Sequence, residues 1–290
     1  MLRIHINIFK LSAKISVILY KISIFALTNK TKIMADYPFK HIEHVNYKNT
    51  FLQNVMVGIS FKDKSDSFFD ETFRKNLCAY LKNMFNVENS GEQIDFRTKG
   101  FTLTNEVNDV AMSFQNGILE AKIGCKSYSG FVSAFSSVFV QFKLFLKNVL
   151  NVESVEKLYE RKVNIWQFES KDPLRYEDVA PNVFSPELNG QDTNLTIDPN
   201  VENVIQKKIF WDFSISEQQQ YRTILRTAFL NKKEGFYHLI LDSEVMEKKE
   251  QILVDDLDED FVSINDVLFD AYHWAVSPKV IELMNNVTEG

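Results

Sequence analysis

The stretch FVSAFSSVFVQFKLFLKNVL, Phe131–Leu150, constrains the fold more than any other part of the chain. Phe131, Phe135, Val138, Phe142, Phe145 and Val149 recur three or four residues apart, so a helix here presents one broad aromatic stripe. Burying a large apolar side chain stabilises by roughly 1.5–3 kcal/mol relative to leaving it exposed, so several on one face require a cover. A sheet laid across the helix is the expected cover.

Strand-like runs supply that sheet. Asn54–Lys62 alternates, and Val110–Phe114 and Ile118–Ile123 flank Asn116-Gly117, a strong hairpin signal. Gln93–Thr104 and Lys157–Phe168 read as strands too, and Val204–Phe213, Tyr221–Leu230 and Phe236–Met246 as an antiparallel meander. Ser67 with Asp70 predicts a helix start carrying Phe69, Phe73, Leu77, Tyr80 and Met84. Ser263 with Asp266 predicts a late helix, and Ser277-Pro278 the start of another, so two helices meet near Val276. The fold class expected is α+β, with antiparallel curved sheets, long amphipathic helices on one face, and two sequential subdomains.

Four of the six prolines fall between residues 170 and 203, which marks 171–203 as a linker between an N-terminal subdomain, 34–170, and a C-terminal one, 204–290. Residues 1–33 hold Arg3, Lys10, Lys14, Lys21, Lys30 and Lys32 and no acid. They are too charged for a membrane span and lack a small-residue cleavage site, so they are read as a basic extension outside the core, with Met34 the expected start.

The whole chain carries a formal charge of −6; without that extension 27 basic residues face 39 acidic ones. A body this acidic, with no basic run interleaved with aromatics, disfavours nucleic acid as a partner. Two distant cysteines, Cys78 and Cys125, imply neither a disulfide framework nor a zinc site, and a reducing, cytoplasmic setting follows.

Several local signatures resemble a sporadically distributed bacterial family of uncharacterised α+β proteins of about this length. The resemblance spans most of Tyr37–Met284. It rests on Tyr128, Gly130, Phe131 and Phe135 in GILEAKIGCKSYSGFVSAF, on Arg161 and Asn164 in YERKVN, and on Val276-Ser277 in VLFDAYHWAVSPKVIELM. Tyr37-Pro38 matches the family's apolar-Pro opening only loosely, and a Gly expected before Arg161 is missing. The resemblance implies a bacterial intracellular setting and supplies no activity, cofactor or catalytic residue.

Chemistry-bearing patterns are sparse. His41 and His44 stand three apart around Glu43 without a third ligand, and read as surface histidines. Asp255, Asp256, Asp258, Glu259 and Asp260 lack the spacing of a calcium loop and read as a solvated acidic loop before a helix. Ser154 and Lys157 have the spacing of a serine–lysine pair without its companion motifs. Phosphate-binding glycine loops, a GxSxG elbow and HExxH are absent.

The candidate ligand-binding residues are Arg161, Asn164, Tyr272, His273 and Trp274; no catalytic residue, metal or cofactor is assigned. Arg161 and Asn164 face opposite sides of a strand, and Arg161 is expected to pair with a buried carboxylate rather than bind an anion. The functional expectation is a non-catalytic module that binds another protein, encoded in an accessory locus such as a defence or mobile-element cluster. The alternatives are a binder or enzyme for a small apolar ligand gripped between sheet and helix, and a metal-assisted hydrolase. Oligomeric state is open.

Overall fold

The computed structural model describes residues 37–45, 47, 50–62, 70–85, 94–95, 100–105, 110–124, 130–191, 205–216 and 219–285. The readings placed on residues 1–33, on Ser67, on Cys125 and on Tyr128 lie outside them.

Among the described residues nine strands build one antiparallel, curved and unclosed sheet, so the fold is α+β. They are β1 (Leu52–Ser60), β2 (Ile94–Asp95), β3 (Gly100–Asn105), β4 (Val110–Gln115), β5 (Ile118–Gly124), β6 (Ser154–Glu169), β7 (Ile205–Ser216), β8 (Gln219–Lys233) and β9 (Phe236–Leu253). Their spatial order is β2-β3-β4-β5-β1-β6-β9-β8-β7. The helices among the described residues are α1 (Glu71–Phe85), α2 (Phe131–Leu144), α3 (Tyr176–Val183), α4 (Pro186–Asn189), α5 (Leu257–Ala275) and α6 (Pro278–Asn285).

The β4–β5 hairpin turns at Asn116-Gly117, both at positive φ (51° and 73°), the geometry this dipeptide favours. β6 pairs with β1 on one side and β9 on the other, so strands from 34–170 and from 204–290 share a single sheet. Residues 171–203, expected as a linker, carry α3 and α4, whose Val179, Val183 and Leu188 are buried together with the adjoining Phe184. The prolines misled here because Pro opens a helix as readily as it ends one: Pro186 occupies the first turn of α4, and Ser185 Oγ accepts from Leu188 N at 3.0 Å.

The aromatic stripe is helical and covered as expected. Phe135 and Phe142 of α2 are fully buried, as is Phe145 in the π-helical turn Phe145–Val149 that follows. Phe145 packs edge-on against Phe101 of β3 and Phe114 of β4, with ring centroids 5.7 and 5.8 Å apart. Phe139, outside the predicted stripe, stacks on Phe261 of α5 at 4.9 Å. Lys143 Nζ clips the two helices by donating to Asp255 O and Asp258 Oδ1, each at 2.6 Å. Gly130 precedes α2 at φ 139°, ψ 154°, a conformation reserved in practice for glycine, which gives the resemblance signature at that residue a backbone reason.

One expected helix start is corrected, and the one at Ser277-Pro278 stands, with α6 opening at Pro278. Asp70 caps α1, its Oδ1 accepting from Phe73 N at 2.7 Å. α5 begins at Leu257, six residues before Ser263, because the acidic run is no loop: Val254–Asp256 forms a 3-10 turn, and Asp258, Glu259 and Asp260 occupy the first helical turn, where the helix dipole favours negative charge. Ser263 Oγ instead donates to Glu259 O inside the helix. At the start of α6 the Ser277 hydroxyl donates to Asn182 O, tying the α5–α6 corner to the end of α3.

Candidate functional site

Alternation along β6 divides its side chains between two faces of the sheet. The inner face, which carries the helices, receives Glu160, Lys162, Asn164 and Trp166; the outer face receives Tyr159, Arg161 and Val163. Arg161 and Asn164 are therefore kept apart.

On the outer face Arg161 meets Asp242 of β9 through a bidentate pair, Nε to Oδ1 at 2.7 Å and Nη2 to Oδ2 at 2.8 Å. Arg226 of β8 reaches the same carboxylate at 3.4 Å and Glu244 at 2.8 Å. Burial pushes the Asp242 carboxyl up, but the two guanidiniums outweigh it and hold the group below the ordinary aspartate range. Beside this network the Tyr159 ring lies across Gly58 of β1, where any Cβ would collide with it, and its hydroxyl donates to Glu120 of β5. Arg161 is thus occupied by an internal carboxylate, as the sequence reading preferred.

On the inner face the register row Met112, Ala121, Val57, Glu160, Val245, Thr223, Trp211 crosses seven strands with a single carboxylate in it. Burial pushes Glu160 up to about 7, against the pull of Lys162, whose Nζ lies 3.1 Å from Oε1 without the alignment of a good hydrogen bond. Lys162 also donates to Asn265 of α5 at 2.6 Å. Glu247 repeats the arrangement with Lys249, which in turn reaches Asp260.

His273 belongs to a third place, where segment 37–47 lies along α5. Asp266, Asp270 and His273 stand four and three residues apart on one face of that helix. Asp270 accepts from Tyr37 Oη at 2.5 Å and Ile42 N at 2.8 Å, with His41 Nδ1 at 3.2 Å. His44 pairs with Asp266 at 2.9 Å while stacking on Phe269 at 4.1 Å. His273 Nδ1 is 2.8 Å from the Phe269 carbonyl, which makes it the protonated nitrogen and leaves Nε2 to accept from the Tyr47 hydroxyl.

Chemically this is a fastening. Burial lowers the His273 pKa and raises that of Tyr47, so both stay neutral near pH 7. A hydrolytic dyad would need a carboxylate on Nδ1 to stabilise the imidazolium, and a backbone carbonyl occupies that position. Tyr272 and Trp274 diverge from His273: the Tyr272 hydroxyl donates to Met284 Sδ at 3.2 Å, and Trp274 packs edge-on to Trp211 at 5.0 Å. Among the described residues no group of three or more His, Cys, Asp or Glu side chains is placed to hold a metal ion.

The five residues singled out from sequence thus lie in separate surroundings. Sequence reasoning missed their partners. Charges at Asp242 and Glu244, alternating within the apolar run FYHLILDSEVM, and the four-and-three spacing of Asp266, Asp270 and His273 were the available signals.

Comparison with known proteins adds no identity. No family model matches the chain, and no curated protein does. A crystal structure of an uncharacterised protein from Mycobacterium tuberculosis overlaps 78% of this chain and 72% of its own at 10% identity, with a TM-score of 0.16, too low to carry an argument. No helix among the described residues is long and apolar enough to cross a membrane.

Proposed function

We propose that the chain is a non-catalytic, cytoplasmic protein-binding module, of the kind encoded in accessory bacterial loci. The observation that carries this reading is the outward face of α2. Val132, Ser133, Ser136, Ser137, Val140 and Leu144 are exposed there, and none is charged. Surfaces kept in water are normally rich in Lys, Glu, Asp and Arg, whereas charge is depleted at the centre of protein interfaces. The polar groups best suited to chemistry, Arg161 and His273 among them, are engaged by internal partners instead.

The test is site-specific photo-crosslinking of the full chain in its host cells, with the reactive residue at position 140 and a control at Glu156, which is exposed on β6. A discrete adduct at 140, lost in V132K/L144K while the fold persists, supports the reading. Equal, diffuse labelling at both positions overturns it.

A further inference from the structure

Where β6, β9 and β8 run side by side, one end of the outer face gathers positive charge. Ser60 of β1, Lys157 of β6, Lys248 of β9 and Gln220 of β8 form one register row across four strands. Parity puts the row on the face of Tyr159 and Arg161, opposite Glu160 and Glu247. Arg222, two residues from Gln220 on β8, lies diagonal to Lys248 on the same face. The β6–β9 ladder breaks register immediately beyond, between Val155 and Lys157, and such irregularities re-aim side chains beside functional sites.

The fold itself gives these two lysines no partner. Directly opposed residues bring their Cβ atoms to within about 4.5–5.5 Å, and like charges at such positions are destabilising. Lys157 and Lys248 are half-buried, and among the described residues neither makes a hydrogen bond or an ion pair. Burial, then Arg222, then Lys157 lower the Lys248 pKa, and Asp212 opposes them. Asp212 is itself engaged: it accepts from Arg222 Nε at 2.5 Å and Nη2 at 3.0 Å, which leaves Arg222 Nη1. Lys157, Lys248 and Arg222 thus face one carboxylate, and two positive charges go uncompensated.

We propose that this row is a binding site for a phosphate dianion, carried as inorganic phosphate or as a phosphomonoester. The charge matches, since a phosphoryl group near its fully ionised state carries about two negative charges. Ammonium groups serve phosphate as point-charge donors, while Arg222 Nη1, the Gln220 amide and the Ser60 hydroxyl offer directed ones on the same face. A monocarboxylate would leave one cation unmatched. A cluster confined to one row fits a single phosphoryl group, not the repeating backbone of a nucleic acid.

Isothermal titration calorimetry of the full chain at about pH 8, where both probes are dianions, tests this with inorganic phosphate and glycerol 2-phosphate at fixed ionic strength. The wild type is expected to bind at least one of them with a Kd below about 1 mM. K248M is expected to weaken that binding about tenfold or more, and K157M/K248M to abolish it. K171M, at an exposed lysine just past the far end of β6, is expected to leave it unchanged. Thermal melts separate binding from a structural role. Without phosphate K248M should melt no lower than the wild type, because it relieves a like-charge pair, while added phosphate should raise the melting temperature of the wild type and not of K157M/K248M. Preference for glycerol 2-phosphate assigns a phosphomonoester, and preference for inorganic phosphate assigns the free ion. A wild type that binds neither with a Kd below about 1 mM, or binding that is equal in K157M/K248M, overturns the proposal, as does binding of a polyglutamate peptide without phosphate. Docking at α2 is a separate surface on the opposite face of the sheet: crosslinking at position 140 is expected to survive K248M, so the two readings fail independently.

Discussion

The two faces of β6 bury carboxylates at the same depth and treat them differently. Asp242, on the outer face, is met by arginines from two neighbouring strands, and the Arg161 fork satisfies both of its oxygens. Glu160, on the inner face, is met by a lysine two residues along its own strand, which approaches one oxygen and is shared with Asn265. The result is a carboxyl held below its ordinary range on one face and one pushed up to about 7 on the other. Burial is nearly complete for both, so partner geometry decides the sign.

The largest effect should come from breaking the outer pair. Arg161→Met leaves Asp242 buried with one distant guanidinium, and a loss of about 3–5 kcal/mol is expected by denaturant unfolding at pH 7. The loss should shrink in acid. Asp242 has a lowered native pKa, so its stabilisation is present above the ordinary aspartate value and disappears as pH falls through the native one.

Glu160→Gln sharpens the contrast with the opposite sign. Between the ordinary glutamate value and about 7 the unfolded chain ionises while native Glu160 keeps its proton, so wild-type stability falls as pH rises through that window. The glutamine variant cannot ionise. Its stability relative to wild type should therefore climb between pH 4.5 and 7, by up to about 3 kcal/mol, in paired melts across that range.

Asp270→Asn tests whether the same logic extends to the fastening of segment 37–47. An amide cannot accept equally from Tyr37, His41 and Ile42, and a loss of about 1–3 kcal/mol is expected. Hydrogen exchange should report it first at the Ile42 amide. The smallest effect belongs to Leu144→Lys, on the exposed face of α2. It should move stability by no more than about 0.5 kcal/mol while weakening the crosslink formed from position 140.

How much of this was legible depended on range. The Phe131–Leu150 stripe and the Asn116-Gly117 turn are local and periodic, and both appear where the spacing puts them. The start of α5 was not legible, because Asp258, Glu259 and Asp260 suit a solvated loop and a helical first turn equally well. Nor could four prolines separate a linker from a pair of short helices. The hardest parts were pairings across distance. Arg161 and Asp242 are 81 residues apart, and nothing near either one specifies the register that brings them together. Only the parity of the strand was readable, and it correctly sent Arg161 and Asn164 to opposite faces.

A double-mutant cycle on Arg161→Met and Asp242→Leu tests most directly whether the conspicuous charges serve the fold. Each single change should cost several times more stability than the pair made together, because the double variant leaves neither partner buried with an uncompensated charge. Additive, small losses in both singles, with binding of a partner abolished, would show that Arg161 is held for a ligand and contradict the structural role given to it here.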